Sequence, residues 1–452
     1  MKKVYIILFG LMLWTTACES SLDQVPPNIA SSDSLKDFQG VLNAAYYYQI
    51  GSVTPMAVMG DFRADNAKMF ESPYTEFDIY GPNLAAMDNQ FFRPFYSALY
   101  KSILSANNVI GNSSNATHVA EAKFLRALSY FKLVRVFGDV VVFTGTTPNI
   151  ADIPTYNLKR QPAINVYNNV IIPDLIAARD GLSATRSSTG RATKYAAQGL
   201  LGKVYVQMGN FTLAEPELAA VVNAAAAMGS SSTTQFHLRP TYAGVFGSTN
   251  DLNSEILFAT QISSSIVDEY GFSEFWSWYL GQDTKAPSPV DTRLIAAYDA
   301  NPGDLRKGVN IKTGTNNISQ KYDQANGPNH DWIELRLADI ILLYAETLNE
   351  NTNANGTNSS SILARLDPIR TRAGLTSLSG TATTQAAVRT AILKERRLEL
   401  AFEGQRWFDL VRTGTVNAEM GQTINSNYHL FPIPISEILA TNGVITQNAG
   451  YN

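Results

Sequence analysis

Apolar residues recur at three- and four-residue steps along most of the chain, the period of helices that bury one face. Residues 33–48 show this period, with Asp33 as a possible cap of the first helix. The spacing recurs in residues 88–110, 117–137, 165–182, 334–350, 362–373 and 384–403, and Arg406 to Arg412 forms a further short helix. Pro173 should kink or split the helix that contains it. The pattern predicts an all-α, mainly helical protein.

Residues 193–208 and 212–228 form the clearest pair of predicted helices. Gly209-Asn210 supplies the turn, and Thr212 followed by Glu215 has the spacing of a capping box. The order of small and aromatic residues matches a tetratricopeptide hairpin, with Gly202, Tyr205, Gly209, Phe211, Ala214 and Leu218. One such hairpin cannot bury its own faces, so neighbouring helix pairs should stack on it.

The helical period fades in residues 229–332, where Gly, Ser, Pro, Asn and aromatic residues dominate. Residues 256–262 could form a short strand. We therefore expect a helical scaffold over residues 33–228 and 333–413, with minor β structure. The long irregular loops of residues 229–332 are the expected ligand-binding region.

The amino terminus has the pattern of a lipoprotein signal. Lys2 and Lys3 precede residues 4–14, which carry no charge and are too few to span a membrane. Cys18, the only cysteine, follows directly after Ala17. We predict a signal peptide over residues 1–17, lipidation of Cys18 and a tether over residues 18–32. Thr15 stands where such signals usually carry leucine.

Charge and motifs exclude several classes of function. The chain has 35 Lys and Arg against 39 Asp and Glu, so it has no basic footprint for nucleic acid. It contains no G-x-S-x-G, Walker A, G-x-G-x-x-G or H-E-x-x-H motif. The four histidines lack ligand spacing, and no metal or cofactor is predicted. Glu395, Glu399 and Glu403 lie four residues apart among arginines, which indicates a structural ion-pair network.

An aromatic cluster is the best candidate for a binding site. Six aromatic residues fall within ten positions, and of these we select Tyr270, Trp276, Trp278 and Tyr279 as ligand contacts. Flat rings stack on the C–H faces of sugars, while polar neighbours bond the hydroxyl groups. A second polar and aromatic stretch, residues 61–80, adds Arg63, Asp65, Asn66, Phe70 and Tyr74. The alternative is that these rings only pack the loops onto the helices.

Several segments together resemble the SusD/RagB family of surface glycan-binding lipoproteins. The strongest is residues 392–414, ILKERRLELAFEGQRWFDLVRTG, followed by LFPIP at residues 430–434 and QNAGY at residues 447–451. Residues 120–139, 196–222 and 335–346 add to the resemblance. Val140 stands where the family often has proline, a minor departure.

The resemblance implies one helical domain over residues 33–452, attached to the outer face of the outer membrane by its lipid. It also implies capture of oligosaccharides, occasionally peptides, and their delivery without chemistry to a TonB-dependent SusC-like transporter. The family's ligand loops vary, so no binding residue transfers from it. A surface glycoside hydrolase and a helical-repeat protein that binds peptides remain the alternatives.

Overall fold

Helices dominate the architecture, as the apolar period predicts. The structure, a computed structural model, describes residues 38–147, 156–322 and 329–451. The predicted signal peptide, Cys18, the tether and the cap at Asp33 lie outside the described residues. Within the described ranges, no helix is both long and apolar enough to cross a membrane.

The helices of the first half of the chain are α1 (Phe38–Tyr47), α2 (Val53–Ala57), α3 (Glu76–Ile79), α4 (Arg93–Asn112), α5 (Ala116–Phe137), α6 (Ala163–Val166), α7 (Ile172–Gly181), α8 (Lys194–Gln207) and α9 (Phe211–Ala224). Those of the second half are α10 (Phe275–Tyr279), α11 (Thr292–Asp299), α12 (Arg306–Asn310), α13 (Leu337–Thr352), α14 (Ser359–Ala364), α15 (Asp367–Arg372), α16 (Gln385–Glu399), α17 (Arg406–Arg412), α18 (Val416–Met420) and α19 (Ile435–Ala440). The strands are β1 (Val140–Val141), β2 (Arg160–Gln161), β3 (Ile256–Thr260) and β4 (Trp332–Arg336).

The long helices pack in chain order. Helix α1 packs on α4, α4 on α5, α5 on α7, α7 on α8, and α8 on α9; α13 then joins α9 and α16. The strands form two short antiparallel pairs, β1 with β2 and β3 with β4. The principal hydrophobic core draws side chains from Leu42 in α1 through to Tyr451, and a smaller cluster surrounds Tyr242.

The hairpin of α8 and α9 forms where the sequence predicts it. Thr193 caps α8 by accepting a hydrogen bond from the Ala196 amide. A Cβ atom at Gly202 would lie 2.5 Å from Cδ2 of Leu218, so this close approach of the two helices requires glycine. The cap of α9 differs from the prediction: Asn210, not Thr212, accepts the amide of Leu213.

Other helix ends also differ from the sequence pattern. Helix α16 ends at Glu399 rather than at residue 403, because Phe402 and Gly404 adopt φ angles of 64° and 67°, which no right-handed helix allows. The helix predicted over residues 362–373 is divided between α14 and α15.

Pro173 lies in the first turn of α7, and the wide π turn Tyr167–Ile171 precedes it. Strand β3 confirms the strand predicted at residues 256–262, but its partner β4 lies at the start of a segment for which a helix is predicted.

A buried ion-pair network surrounds Glu399, as the carboxylate series predicts. Its Oε1 atom lies 2.8 Å from Arg336 Nη1 and 2.5 Å from Arg372 Nη2, and its Oε2 atom lies 3.0 Å from Arg306 Nη1. Glu255 bridges the first two arginines from the start of β3. The network therefore fixes α12, α15 and β4 against the end of α16.

Neighbouring groups extend the network in two directions. Glu395 pairs with Arg306 and with Arg370 of α15. Glu403 pairs with Arg336 and with Lys321, which comes from the segment just before the undescribed residues 323–328. All these side chains are buried, and their charges are matched by partners of opposite sign. The loop-rich part of the chain is thus attached to the helices by charges as well as by apolar contacts.

The substitution Glu399→Gln should lower the free energy of unfolding at neutral pH by ~3–5 kcal/mol, because it leaves three buried arginines short of a charge. Burial would raise the pKa of Glu399, but Arg372, Arg336 and Arg306 hold it well below its ordinary value of 4.5. Its contribution is therefore fully present above pH 4.5 and is lost as the pH falls below that value. Urea denaturation should show that the difference in the free energy of unfolding between the native protein and Glu399→Gln becomes smaller in acid.

The matched control is Asp299→Asn, which removes an exposed ion pair with Lys307. We expect this change to cost ~0–1 kcal/mol. Equal losses of stability in Glu399→Gln and Asp299→Asn would contradict a larger contribution of the buried network to stability.

Candidate functional site

The structure brings the two predicted binding stretches together on one surface. Main-chain hydrogen bonds join residues 61–80 to the segment that follows the aromatic cluster: the Phe70 amide donates to the Lys285 carbonyl at 2.8 Å, and the Lys68 amide donates to the Pro289 carbonyl at 2.8 Å. Residues 68–70 and 285–289 therefore run side by side. Tyr74 contacts Trp278 edge to face, with ring centroids 6.1 Å apart.

We name the surface formed by Phe70, Tyr74, Trp278 and Lys285 the aromatic ledge. Phe70 is 49% exposed, and Tyr74 is half-buried. The Lys285 ammonium lies 5.1 Å from the centre of the Tyr74 ring and 5.4 Å from that of Trp278. Lysine placed over aromatic faces is attracted by their π electrons, so it holds both rings in place.

Polar groups border the aromatic ledge. Lys285 Nζ lies 3.0 Å from Asp283 Oδ1, and Thr284 Oγ1 donates to Glu71 Oε2 at 3.0 Å. Asp283 and Lys285 are partly buried, whereas Glu71 and Thr284 are exposed. The ledge therefore offers an exposed ring next to donors and acceptors, which is the combination that a sugar requires.

Trp278 supports the ledge from below rather than forming its outer face. The side chain is 8% exposed, and it also contacts Phe62 and Phe91 edge to face. Trp276 is 8% exposed as well and lies against His330, with ring centres 6.3 Å apart. Both indoles occupy the one-turn helix α10, in a stretch that the sequence predicts to be irregular.

Four predicted contact residues, Tyr279, Asn66, Arg63 and Asp65, lie in the interior, where their polar groups are bonded to other parts of the protein. Tyr279 is 0% exposed; it stacks on Phe62 and donates to Asp61 Oδ2 at 3.0 Å. Asn66 donates to Asp61 Oδ1 at 3.0 Å. Burial raises the pKa of Asp61 to about 6, against the hydrogen bonds from Asn66, Gly404 and Tyr279. These groups satisfy one another, so they have a structural role.

Arg63 and Asp65 are the other two buried residues. The Arg63 guanidinium donates to the carbonyls of Phe77 and Tyr428, both at 2.9 Å. Asp65 forms a bidentate pair with Arg406, at 2.7 and 3.0 Å. Burial would raise the pKa of Asp65, but Arg406 holds it below its ordinary value. Both residues connect the start of the fold to its carboxyl-terminal part.

Tyr270 belongs to a second surface, which we name the tyrosine patch and define by Tyr47, Tyr48 and Tyr270. The Lys101 ammonium lies 5.5 Å from the centre of the Tyr48 ring and 5.3 Å from that of Tyr270. Lys101 also pairs with Glu269. Burial raises the pKa of Tyr270 to about 12, so its hydroxyl stays protonated at physiological pH.

Sequence reasoning missed Lys285 and the three tyrosines at the end of α1 and just after it. Nothing in the local pattern selects Lys285, because the segment that it contacts lies more than 200 residues earlier. Tyr46, Tyr47 and Tyr48 did carry a signal: consecutive helical residues point about 100° apart, so three successive rings cannot share one buried face. All three are half-buried.

Metal-site geometry is not found within the described residues, in which no group of three or more His, Cys, Asp and Glu side chains could hold an ion. The carboxylates of the ledge are instead bonded to Lys285 and Thr284. The surface is therefore suited to binding through ring stacking and hydrogen bonds.

Comparison with known proteins supports the resemblance that the sequence shows. A family model described as the SusD family matches residues 292–428, and one described as starch-binding, associating with the outer membrane, matches residues 19–206. The chain is thus similar to the SusD/RagB family over both of these segments. "SusD-like protein P2" of Formosa agariphila is 26% identical over the full length of both chains. A SusD-like protein of Bacteroides ovatus is 26% identical and covers 91% of this chain and 82% of its own.

Solved structures share the fold. A SusD superfamily protein from Parabacteroides distasonis superposes with a TM-score of 0.75 at 21% identity, covering 94% of this chain and 100% of its own. A structure described as a laminarin-binding SusD-like protein gives a TM-score of 0.72 at 23% identity. The superposition covers 92% of this chain and 99% of the other. These similarities confirm the mainly helical fold.

The substitution Tyr279→Phe should destabilise the protein by ~1–3 kcal/mol, because it leaves the buried Asp61 without one hydrogen-bond donor. Thermal or urea denaturation measures this loss. Phe70→Ala is the control, since half of that ring is already exposed and its removal should change stability little. If Tyr279→Phe left stability unchanged and instead weakened ligand binding, its assignment to the interior would be contradicted.

Proposed function

We propose that this protein is a cell-surface lipoprotein that captures oligosaccharides without cleaving them. In the proposal, the protein delivers the captured oligosaccharide to a TonB-dependent SusC-like transporter in the outer membrane. The observation that carries the proposal is the aromatic ledge, where two distant stretches of the sequence combine an exposed ring with polar side chains. The family model described as starch-binding and the laminarin-binding neighbour support a glycan as the ligand.

The chemistry of the ledge favours binding over hydrolysis. A glycosidase needs two carboxyl groups that flank the scissile bond, one as an acid and one as a base or nucleophile. Asp283 is bonded to Lys285, and Glu71 accepts a hydrogen bond from Thr284. These carboxylates are therefore arranged to accept hydrogen bonds from sugar hydroxyls and to orient Lys285.

Affinity at such a surface should be modest. A saccharide loses good hydration when it binds, and only the surplus of the new contacts appears as binding energy. Because Tyr74 and Lys285 already hold fixed positions, binding costs little side-chain entropy at these two residues. Moderate affinity also suits a protein that must release its ligand to a transporter.

Alanine at Tyr74 or Phe70 should weaken oligosaccharide binding ~3- to 10-fold, because each ring contributes ~0.5–1.5 kcal/mol of stacking. Titration calorimetry with maltohexaose and laminarihexaose measures the effect. Tyr156→Ala is the matched control, since it removes another exposed tyrosine, which packs on Phe143. Equal effects of Tyr74→Ala and Tyr156→Ala would contradict the ledge, and shorter products after incubation would contradict a purely binding role.

Cys18→Ser should release the protein from the membrane, since the predicted acyl chains are attached at that residue. Each buried CH₂ of an acyl chain contributes ~0.8 kcal/mol to membrane affinity. Metabolic labelling with an alkyne fatty acid, followed by fractionation, should show label and membrane association in the native chain and neither in the variant. Ser20→Ala is the control within the predicted tether. Labelling that persists in Cys18→Ser would refute the predicted lipidation.

A further inference from the structure

A concave site lies apart from the aromatic ledge, between α1, the loop before α8 and the end of β3. Its volume is about 400 Å³, at the small end of the ~300–1,000 Å³ typical of ligand pockets. We name it the tyrosine pocket. Its walls are Tyr46 and Tyr47 on one side, residues 189–191 on another, and Phe258 to Gln261 on the third.

The aromatic wall is held in place by contacts on its outer side. The Tyr46 hydroxyl donates to Glu121 Oε2 at 2.5 Å and accepts the Ala192 amide at 3.1 Å. The Arg191 guanidinium carbon lies 4.5 Å from the centre of the Tyr46 ring. Because these partners are fixed before a ligand arrives, the wall is preorganised.

The electric charge of the pocket is balanced. Arg191 is the cation of the lining, and its Nη1 atom lies 3.3 Å from Glu121 Oε2. Arg191 also donates to the side-chain oxygen of Asn43. With its guanidinium already paired, the pocket offers no surplus positive charge for a carboxylate or sulfate group.

Two amides supply hydrogen-bonding groups for a ligand. Asn43 accepts from Arg191 and Gln39 through its oxygen, and its own N–H groups have no protein acceptor among the described residues. Gln261 donates to the Thr189 carbonyl at 3.0 Å, and its oxygen receives no hydrogen bond within the described part of the chain. A donor and an acceptor are therefore available at one site, which is what a sugar hydroxyl requires.

Gln49 forms the floor of the pocket, and its side chain makes its hydrogen bonds within the protein. The Gln49 amide donates to Ser102 and Ser129, and its oxygen accepts from Lys132. The rim is apolar: Ile266 lines the opening, and the adjacent Val267 is 84% exposed. The Tyr47 hydroxyl holds this rim by donating to the Val267 carbonyl at 2.7 Å.

We infer that the tyrosine pocket is a second saccharide site that binds a neutral mono- or disaccharide unit, distinct from the ledge. The inference rests on the proposed function, because it assigns the same class of ligand to a different surface. The aromatic wall and apolar rim receive the C–H faces of the sugar, while Asn43 and Gln261 bond its hydroxyls.

The test uses the soluble chain without residues 1–18 and a panel of neutral disaccharides: maltose, laminaribiose, cellobiose, mannobiose, galactobiose and xylobiose. Calorimetry and soaked crystals should show at least one of them in the pocket. Asn43→Ala and Gln261→Ala should each weaken that binding about three- to tenfold, as expected for one lost hydrogen bond. Both side chains are exposed, so these variants should fold.

Two further variants separate this inference from the proposed function. Tyr74→Ala on the ledge should leave disaccharide binding in the pocket unchanged, and Gln422→Ala, at an exposed glutamine of the carboxyl-terminal part, should change neither site. If hexasaccharide binding responds to Tyr74→Ala while no disaccharide enters the pocket, the second site is refuted and the proposed function stands. Preference for glucuronate or sulfated disaccharides over neutral ones would refute the neutral assignment. Failure of every disaccharide and hexasaccharide to bind the chain without residues 1–18 would refute both proposals.

Discussion

The fold depends on one constraint: the carboxylate of Glu399 must stay charged in the interior, and three arginines surround it there. Removing such charges from water is costly, and the cost is offset only when each charge has close partners of opposite sign. Arg306, Arg336 and Arg372 come from separate segments, so all of them must be in place together. The network therefore fixes the position of the loop-rich part of the chain relative to the helices.

That alignment determines which aromatic residues reach the surface. Helix α10 is held against the interior by Tyr279, whose hydroxyl bonds Asp61. Once Tyr279 points inward, the one-turn helix carries Trp278 to the boundary of the protein, beside Tyr74. A surface suited to stacking thus arises at the edge of the core rather than on a free loop, and its rings are rigid because their inner neighbours are fixed.

The apolar period was sufficient to predict the long helices and the α8–α9 hairpin, because those features depend on residues close in sequence. It missed the shorter helices α10, α11 and α12, which lie in the stretch expected to be irregular. The density of rings in residues 270–279 also indicated a functional region. Their burial could not be predicted, since the side chains that cover them, such as Phe62 and Phe402, come from distant segments. The same holds for Asp65, whose partner Arg406 lies 341 residues further on. Local patterns indicate which groups a segment contains, and long-range packing decides which of them meet solvent.

The contact between the two ends of the chain has a consequence for biosynthesis. The Gly404 amide donates to Asp61, 343 residues earlier, and a Cβ atom at Gly60 would lie 2.2 Å from the Gly404 carbonyl oxygen. Such distant contacts close a very large loop, and folds that depend on them form slowly. The segment around Gly60 and Asp61 cannot form these contacts until Gly404 has been synthesised, when nearly nine-tenths of the polypeptide is complete. A protein built in this way therefore remains incompletely folded through most of its synthesis.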